Sequence, residues 1–202
     1  MNKKAQKDDR VVDLKHAQNT EISGRRKGIY LLPNLLTTGA LFAGFYAVLS
    51  GFSGKYELAA IAIFTAMVFD GLDGRVARMT NTQSDFGVQY DSLSDMVSFG
   101  VAPAVVAYGW GVSDLGTVGL AAAFVYASCA ALRLARFNVQ ADSSSGKEFT
   151  GLPSPVAAAL VAGFVWSTYS MGASLGLTIL GAALTAVAGL LMVSNFKYPS
   201  FK

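Results

Sequence analysis

The chain is short of most of what a soluble or disulfide-stapled domain relies on. In 202 residues it has one cysteine, one histidine, five prolines and only 14% charged residues. A lone cysteine excludes an internal disulfide framework, and Cys129, set in an apolar stretch, reads as a packed core thiol. The single histidine, His16, lies in a polar stretch and reads as a surface residue, neither catalyst nor ligand. Charge this sparse, beside 52% hydrophobic residues and a positive mean hydropathy, excludes an ordinary soluble domain. A net charge of +3 raises the question of nucleic acid, but the placement of the cations argues against it. There is no internal repeat, and no low-complexity tract beyond the short Ser143–Ser145 run.

What the chain does have is long apolar runs. Six stand out, at residues 29–49, 58–69, 96–112, 115–132, 156–171 and 175–193. A helix needs about 20 residues to cross a bilayer. The second run reaches that length only if its helix continues through Asp70, Gly71, Leu72 and Asp73, and the third only if it begins near Asp91. Carboxylates then lie inside the ends of two membrane helices, where an acid is costly and is read first as functional. The predicted architecture is an all-α integral membrane protein of six transmembrane helices. It divides into a polar tail at 1–28, a six-helix domain at 29–196 and a short tail at 197–202.

Cations set the expected orientation. With six spans, both termini and the second and fourth loops share one side, and that side holds every Lys and Arg except Lys55. Cytosolic loops collect such residues, so both termini are placed in the cytosol. The cluster Arg25–Arg26–Lys27 fits anionic headgroups. Twin arginines before an apolar run also open export signals. Here the run is too long for a signal's apolar segment and no small-residue cleavage site follows closely, so it reads as a retained first span. Trp110 and Trp166, near span ends, read as interfacial anchors.

The chemistry concentrates between Asp70 and Asp95. Asp70 and Asp73 are three apart and Asp91 and Asp95 four apart, so each pair shares a helix face. Two antiparallel helices joined by a short loop bring all four carboxylates together. Such a cluster at membrane depth needs cations. Oxygen ligands without Cys or His suit Mg²⁺, Mn²⁺ or Ca²⁺ and not zinc. Gly74 and Ala77 leave room beside the acids for a bulky polar ligand, Gly87 keeps the facing helix clear, and Arg78 offers a fork of donors to phosphate. The loop between, Thr80 to Ser84, carries hydroxyl and amide groups able to bond a nucleotide. A structural ion cluster or a transporter's proton path also accounts for four acids and an arginine, but leaves the glycines and small residues unexplained.

The pattern D-x-x-D-G-x-x-A-R, eight residues, then G-x-x-x-D-x-x-x-D resembles the signature of the CDP-alcohol phosphotransferases. All eight positions are present, as Asp70, Asp73, Gly74, Ala77, Arg78, Gly87, Asp91 and Asp95. The resemblance implies a six-helix fold, usually a homodimer, with its site open to the cytosol, a pair of divalent metal ions and a CDP-linked donor. The run from Pro33 to Thr37 is similar to the family's first span, which lies beside the nucleotide; this brings in Asn34 and Thr37. Two further stretches, from Leu132 to Asn138 and from Phe149 to Pro155, resemble the serine-using branch.

By that resemblance Asp70, Asp73 and Asp91 hold the two metals, Mg²⁺ or Mn²⁺ with Ca²⁺ as a possible occupant, and Asp95 lies near the second. Asp95 serves as general base for the hydroxyl of L-serine, and Arg78 and Ser84 steady the phosphates and nucleotide of CDP-diacylglycerol. CMP leaves, and the lipid tails stay in the bilayer. Arg133 and Arg136 share a face and either snorkel to the interface or pair with an anion. The expectation is that Arg136 leads in holding the serine carboxylate, with Arg133 secondary and Asn138 adding a polar contact. Glycerol 3-phosphate and inositol or its phosphate stay open as acceptors, and a non-enzymatic membrane carrier as a third reading. No discontinuous helix or inverted repeat supports the carrier. The expected location is the cytoplasmic membrane.

Overall fold

The computed structural model describes residues 31–142 and 151–195, with a helical chain throughout and no strand among the described residues. The readings made above for the two tails, the Arg25–Lys27 cluster, His16, the Ser143–Ser145 run, Lys147 and Phe149 lie outside the described residues.

Six helical runs follow one another among the described residues. The first is α1, Leu31–Phe52. The second, α2, spans Tyr56–Thr80 without interruption, so the helix does continue through Asp70 and Asp73 as its length requires. It ends at Asn81, whose left-handed backbone (φ 51°) turns its N–H back onto the carbonyls of Ala77 and Arg78. The third run starts earlier than the sequence suggests, at Asp85, because Ser84 caps it: its Oγ accepts the Gly87 N–H at 3.1 Å. This run is α3, Asp85–Asp95, then a π-helical turn, Met96–Val101, then α4, Ala102–Trp110. The last three are α5, Thr117–Asp142; α6, Ser154–Thr168; and α7, Leu175–Val193. By length and composition three of these, α1, α5 up to Gln140, and α7, are long and apolar enough to cross a membrane.

The helices pack through small residues. Ala40, Ala43 and Ala47 on α1, Ala59, Ala60, Ala62, Ile63 and Ala66 on α2, and Ala157, Ala158 and Ala162 on α6 are all buried. Such faces let backbones approach closely. A Cβ at Gly44 would stand 2.6 Å from the Ser98 Cα, and one at Gly189 would stand 2.7 Å from the Tyr126 Cα. Glycine is therefore required where α1 meets the π turn and where α7 meets α5. The π turn leaves backbone carbonyls off the regular ladder, and the buried Tyr126 hydroxyl donates to one of them, Phe99 O, at 2.9 Å. Cys129 is buried, as its setting suggested. Trp110 is corrected from an interfacial anchor to a core residue: only 5% exposed, it meets Phe164 edge-on with ring centroids 5.4 Å apart. Trp166 is exposed.

Candidate active site

The acidic residues lie on α2 and α3, and each helix presents them at one end of the bundle. Asp70, Asp91 and Asp95 each place a carboxylate oxygen within 4.8 Å of the others. The Asp70 and Asp95 carboxyls reach hydrogen-bonding contact, and Asp73 lies within electrostatic range of Asp70 and Asp91. Four like charges cannot be held this close in a poorly solvated place unless cations or protons join them. The donor set is carboxylate oxygen alone, which fits hard divalent ions such as Mg²⁺, Mn²⁺ or Ca²⁺.

Asp73 differs from the other three. It is almost fully buried, and its Oδ2 accepts the Thr37 hydroxyl at 2.6 Å, tying α2 to α1. Thr37 is thus joined directly to the acids. Its own carbonyl accepts the Ser94 hydroxyl at 3.1 Å, and one turn later the Ser98 hydroxyl donates to Ala40 O at 3.0 Å. Ser94 and Ser98 sit four apart on the inner face of the third run and stitch it to α1, which fixes the height of Asp91 and Asp95 against Asp73. No local motif marked these serines; their spacing opposite Thr37 and Ala40 emerges only once the helices pack.

The nucleotide candidates gather at the mouth between α1, α2 and α3. Asn34 Oδ1 stands 3.7 Å from where a Gly87 Cβ would be, and Ser84 Oγ stands 3.2 Å from the same point. Thr38 shares a 2.9 Å hydrogen bond with the Tyr90 hydroxyl across this mouth. Gly71 has open space beside it, and only the Arg78 guanidinium, 3.8 Å away, approaches the free side of Gly74. Glycine inside a helix costs about 1 kcal/mol against alanine, so two of them next to the acids mark a surface kept clear. Arg78 is exposed over this cleared strip. Ala77 is partly buried, and its carbonyl accepts the N–H of Asn81 and of Thr82.

The acceptor candidates separate. Arg133 is partly buried, within electrostatic range of Asp95, and donates through Nη1 to Ser154 Oγ at 3.0 Å. Arg136 is exposed and turns to the end of α7, with Nη1 3.4 Å from both Val193 O and Asn195 Oδ1. Asn138 ties α5 to α3: its Oδ1 accepts from Ser92 Oγ at 3.0 Å and its Nδ2 donates to Gln89 Oε1 at 3.2 Å. Arg133 and Asn138 therefore join the acid-bearing end, while Arg136 braces a neighbouring helix. The loop that resembles the serine-using branch contributes Ser154, missed in the sequence because its partner is 21 positions away. Gly151 (φ 87°) docks that loop where a side chain would run into the Met192 carbonyl, and Leu152 N donates to Leu191 O at 2.9 Å.

Fold and site together define a helical, membrane-type protein with an acidic cluster, able to bind divalent metal, at one end of the bundle. The chain belongs to the CDP-alcohol phosphatidyltransferase family, whose pattern matches residues 30–193. It is 39% identical over 175 residues to a CDP-diacylglycerol–serine O-phosphatidyltransferase of Helicobacter pylori, covering 86% of this chain and 74% of that one. To the Bacillus subtilis protein of the same name it is 36% identical over 171 residues, covering 85% and 91%. To an archaetidylserine synthase of Methanothermobacter thermautotrophicus it is 38% identical over 171 residues, covering 83% and 69%. Among solved structures it shares its fold with a phosphatidylinositol phosphate synthase of Mycobacterium tuberculosis with CDP-DAG bound, at TM-score 0.57 and 19% identity over 81% of each chain.

Proposed function

We propose that the protein is a membrane enzyme that transfers the phosphatidyl group of CDP-diacylglycerol to L-serine, giving phosphatidylserine and CMP. The observation that carries the reaction class is the meeting of Asp70, Asp91 and Asp95 within 4.8 Å beside the cleared strip at Gly71 and Gly74. Relatives named for the serine reaction, at 36% and 39% identity, support the acceptor.

Asp70, Asp73, Asp91 and Asp95 are the residues to hold two divalent ions, Mg²⁺ or Mn²⁺, with Ca²⁺ as another occupant. When bound, the ions neutralise the donor's pyrophosphate and stabilise charge on the transferring group. Thr37 fixes the orientation of Asp73 through their 2.6 Å bond. Asn34, Ser84 and Gly87 line the nucleotide's side of the mouth, and Arg78 reaches the phosphates across Gly74 and Ala77. Asp95 takes the proton from the serine hydroxyl as its oxygen attacks phosphorus; the bond to the CMP oxygen breaks and CMP leaves. Arg133, which lies within electrostatic range of Asp95, meets the serine carboxylate, with Asn138 holding α5 against α3 and Arg136 turned to the end of α7.

Six spans, both termini and the site on the cytosolic side of the cytoplasmic membrane, and a homodimer complete the reading. The six helical runs among the described residues support the first of these, and six spans would in turn put every Lys and Arg but Lys55 on one side, which supports the second. Purified protein offered CDP-diacylglycerol with L-serine, glycerol 3-phosphate, inositol or inositol phosphate singly, with CMP release measured, tests the whole. Release with serine alone is expected. Release with only one of the other acceptors overturns the serine assignment and leaves the chemistry standing.

A further inference from the structure

Arg133 is held in a way that its chemistry does not require for packing. Its Nε atom is buried and has no hydrogen-bond partner, and one Nη1 donor is spent on Ser154. A buried, unpaired donor on a charged group is costly and survives where a ligand completes it. Ser154 itself is fully buried. It is the first residue of α6, between Pro153 and Pro155, with the preceding turn clamped to α7 through Leu152 and Leu191. Two prolines fix the backbone on either side, and full burial leaves the hydroxyl little room to move. A helix N-terminus is also a poor neighbour for a cation, since its free N–H groups carry partial positive charge. Arg133 is therefore placed against local electrostatics, and toward Asp95.

We propose that Ser154 is a positioning residue for the acceptor. Its hydroxyl holds the Arg133 guanidinium so that the free Nε–H and a neighbouring N–H meet the carboxylate of the incoming amino acid beside Asp95. The inference rests on the serine reading above and adds the residue that aims the arginine. It also explains why Arg133 and not Arg136 discriminates: only the former is gripped by a rigid partner on the acid-bearing side.

The test uses the full-length protein in lipid nanodiscs with CDP-diacylglycerol. Ser154→Ala is expected to raise the apparent KM for L-serine by about tenfold, one charge-assisted hydrogen bond, with the KM for CDP-diacylglycerol unchanged. Ser154→Thr, which keeps the hydroxyl, is expected to restore it. Arg133→Lys keeps the charge but loses Nε, and is expected to raise the serine KM by a similar factor. Serinol, which has the hydroxyl and amine of serine but no carboxylate, is expected to show no KM penalty from Ser154→Ala. Metal-dependent CDP-diacylglycerol binding without acceptor reports that each variant is folded. An equal penalty for serine and serinol, or an unchanged serine KM in a folded Ser154→Ala protein, overturns the inference while leaving the serine reaction intact. A wild-type protein that uses glycerol 3-phosphate and not serine removes the serine reading, and the carboxylate contact falls with it.

Discussion

The two ends of the bundle are held together by different means. At the acid-bearing end, helices are joined by side chains that bond across them: Thr37 to Asp73, Ser94 and Ser98 to α1 carbonyls, Asn138 to Ser92 and Gln89, Arg133 to Ser154. At the opposite end the contacts are mostly a matter of shape. Tyr56 donates to Gly109 O at 2.5 Å and Tyr169 to Glu57 at 3.0 Å. Otherwise that end offers small-residue faces and an apolar groove of about 320 Å³ between Gly51 and Phe52 on one side, Ala104 and Tyr108 on another, and Ala123 and Phe124 on the third. Hydrogen bonds have direction and fix angles; apolar packing fixes only distance and volume. The acid-bearing end is the end whose geometry is specified bond by bond.

The largest effect that sharpens this contrast is metal removal. Excess chelator is expected to abolish CMP release, and Mg²⁺ or Mn²⁺ to restore it. Full activity in chelator would mean that the acids serve no cation. Next comes Asp95→Asn. Turnover is expected to fall by a factor on the order of 10² or more, while donor binding and metal affinity, measured beside it, stay close to wild type. Near-normal turnover would assign the proton to another group.

A substitution away from the acids should do the reverse. Gly181→Ala puts a methyl 2.9 Å from the Phe164 ring and 3.2 Å from that of Trp110, at the opposite end, and is expected to cost about 1–3 kcal/mol of stability, seen as a lower thermal midpoint. The KM values of the protein that remains folded should not change. A shifted serine KM there would show that the two ends are coupled. The smallest effect is expected from Arg136→Ala. Its exposed contacts with the end of α7 are each 3.4 Å long, so the serine KM should move by no more than about twofold. A tenfold rise would return Arg136 to the lead that its sequence spacing suggested.

That reversal shows what the sequence carries and what it does not. Asp70, Asp73, Asp91 and Asp95 were legible because helix periodicity alone puts each pair on one face. The last helix was legible to the residue, at 175–193, because apolar length is a local property. Arg133 and Arg136 were also grouped by periodicity. At three residues apart they diverge by about 60°, enough for one to face Asp95 and the other α7. Only the neighbours decide which, and neighbours are not local. Trp110 failed for the same reason: nearness to a span end says nothing about whether Phe164 covers it. Ser94 and Ser98 carried no signal, and Ser154 only that of the stretch it belongs to, since a serine acquires its meaning from the carbonyl or guanidinium across from it.

The π turn at Met96–Val101 has a consequence for the length of the chain. An α-helix advances about 100° per residue, and a π turn holds one residue more than the α-helix it replaces. The acid face of α3 and the buried face of α4 are therefore out of phase by roughly that angle. Chain length in this stretch acts as a rotary setting. Deleting one residue lets the turn relax to an ordinary α-helix with Asp91 and Asp95 and the faces of Val106 and Ala107 kept in their places, whereas adding one turns α4 by about 100° against α3. Side chains in the segment can be exchanged for others of similar volume, and its one extra residue can be lost, but a further residue cannot be added without giving up one face or the other.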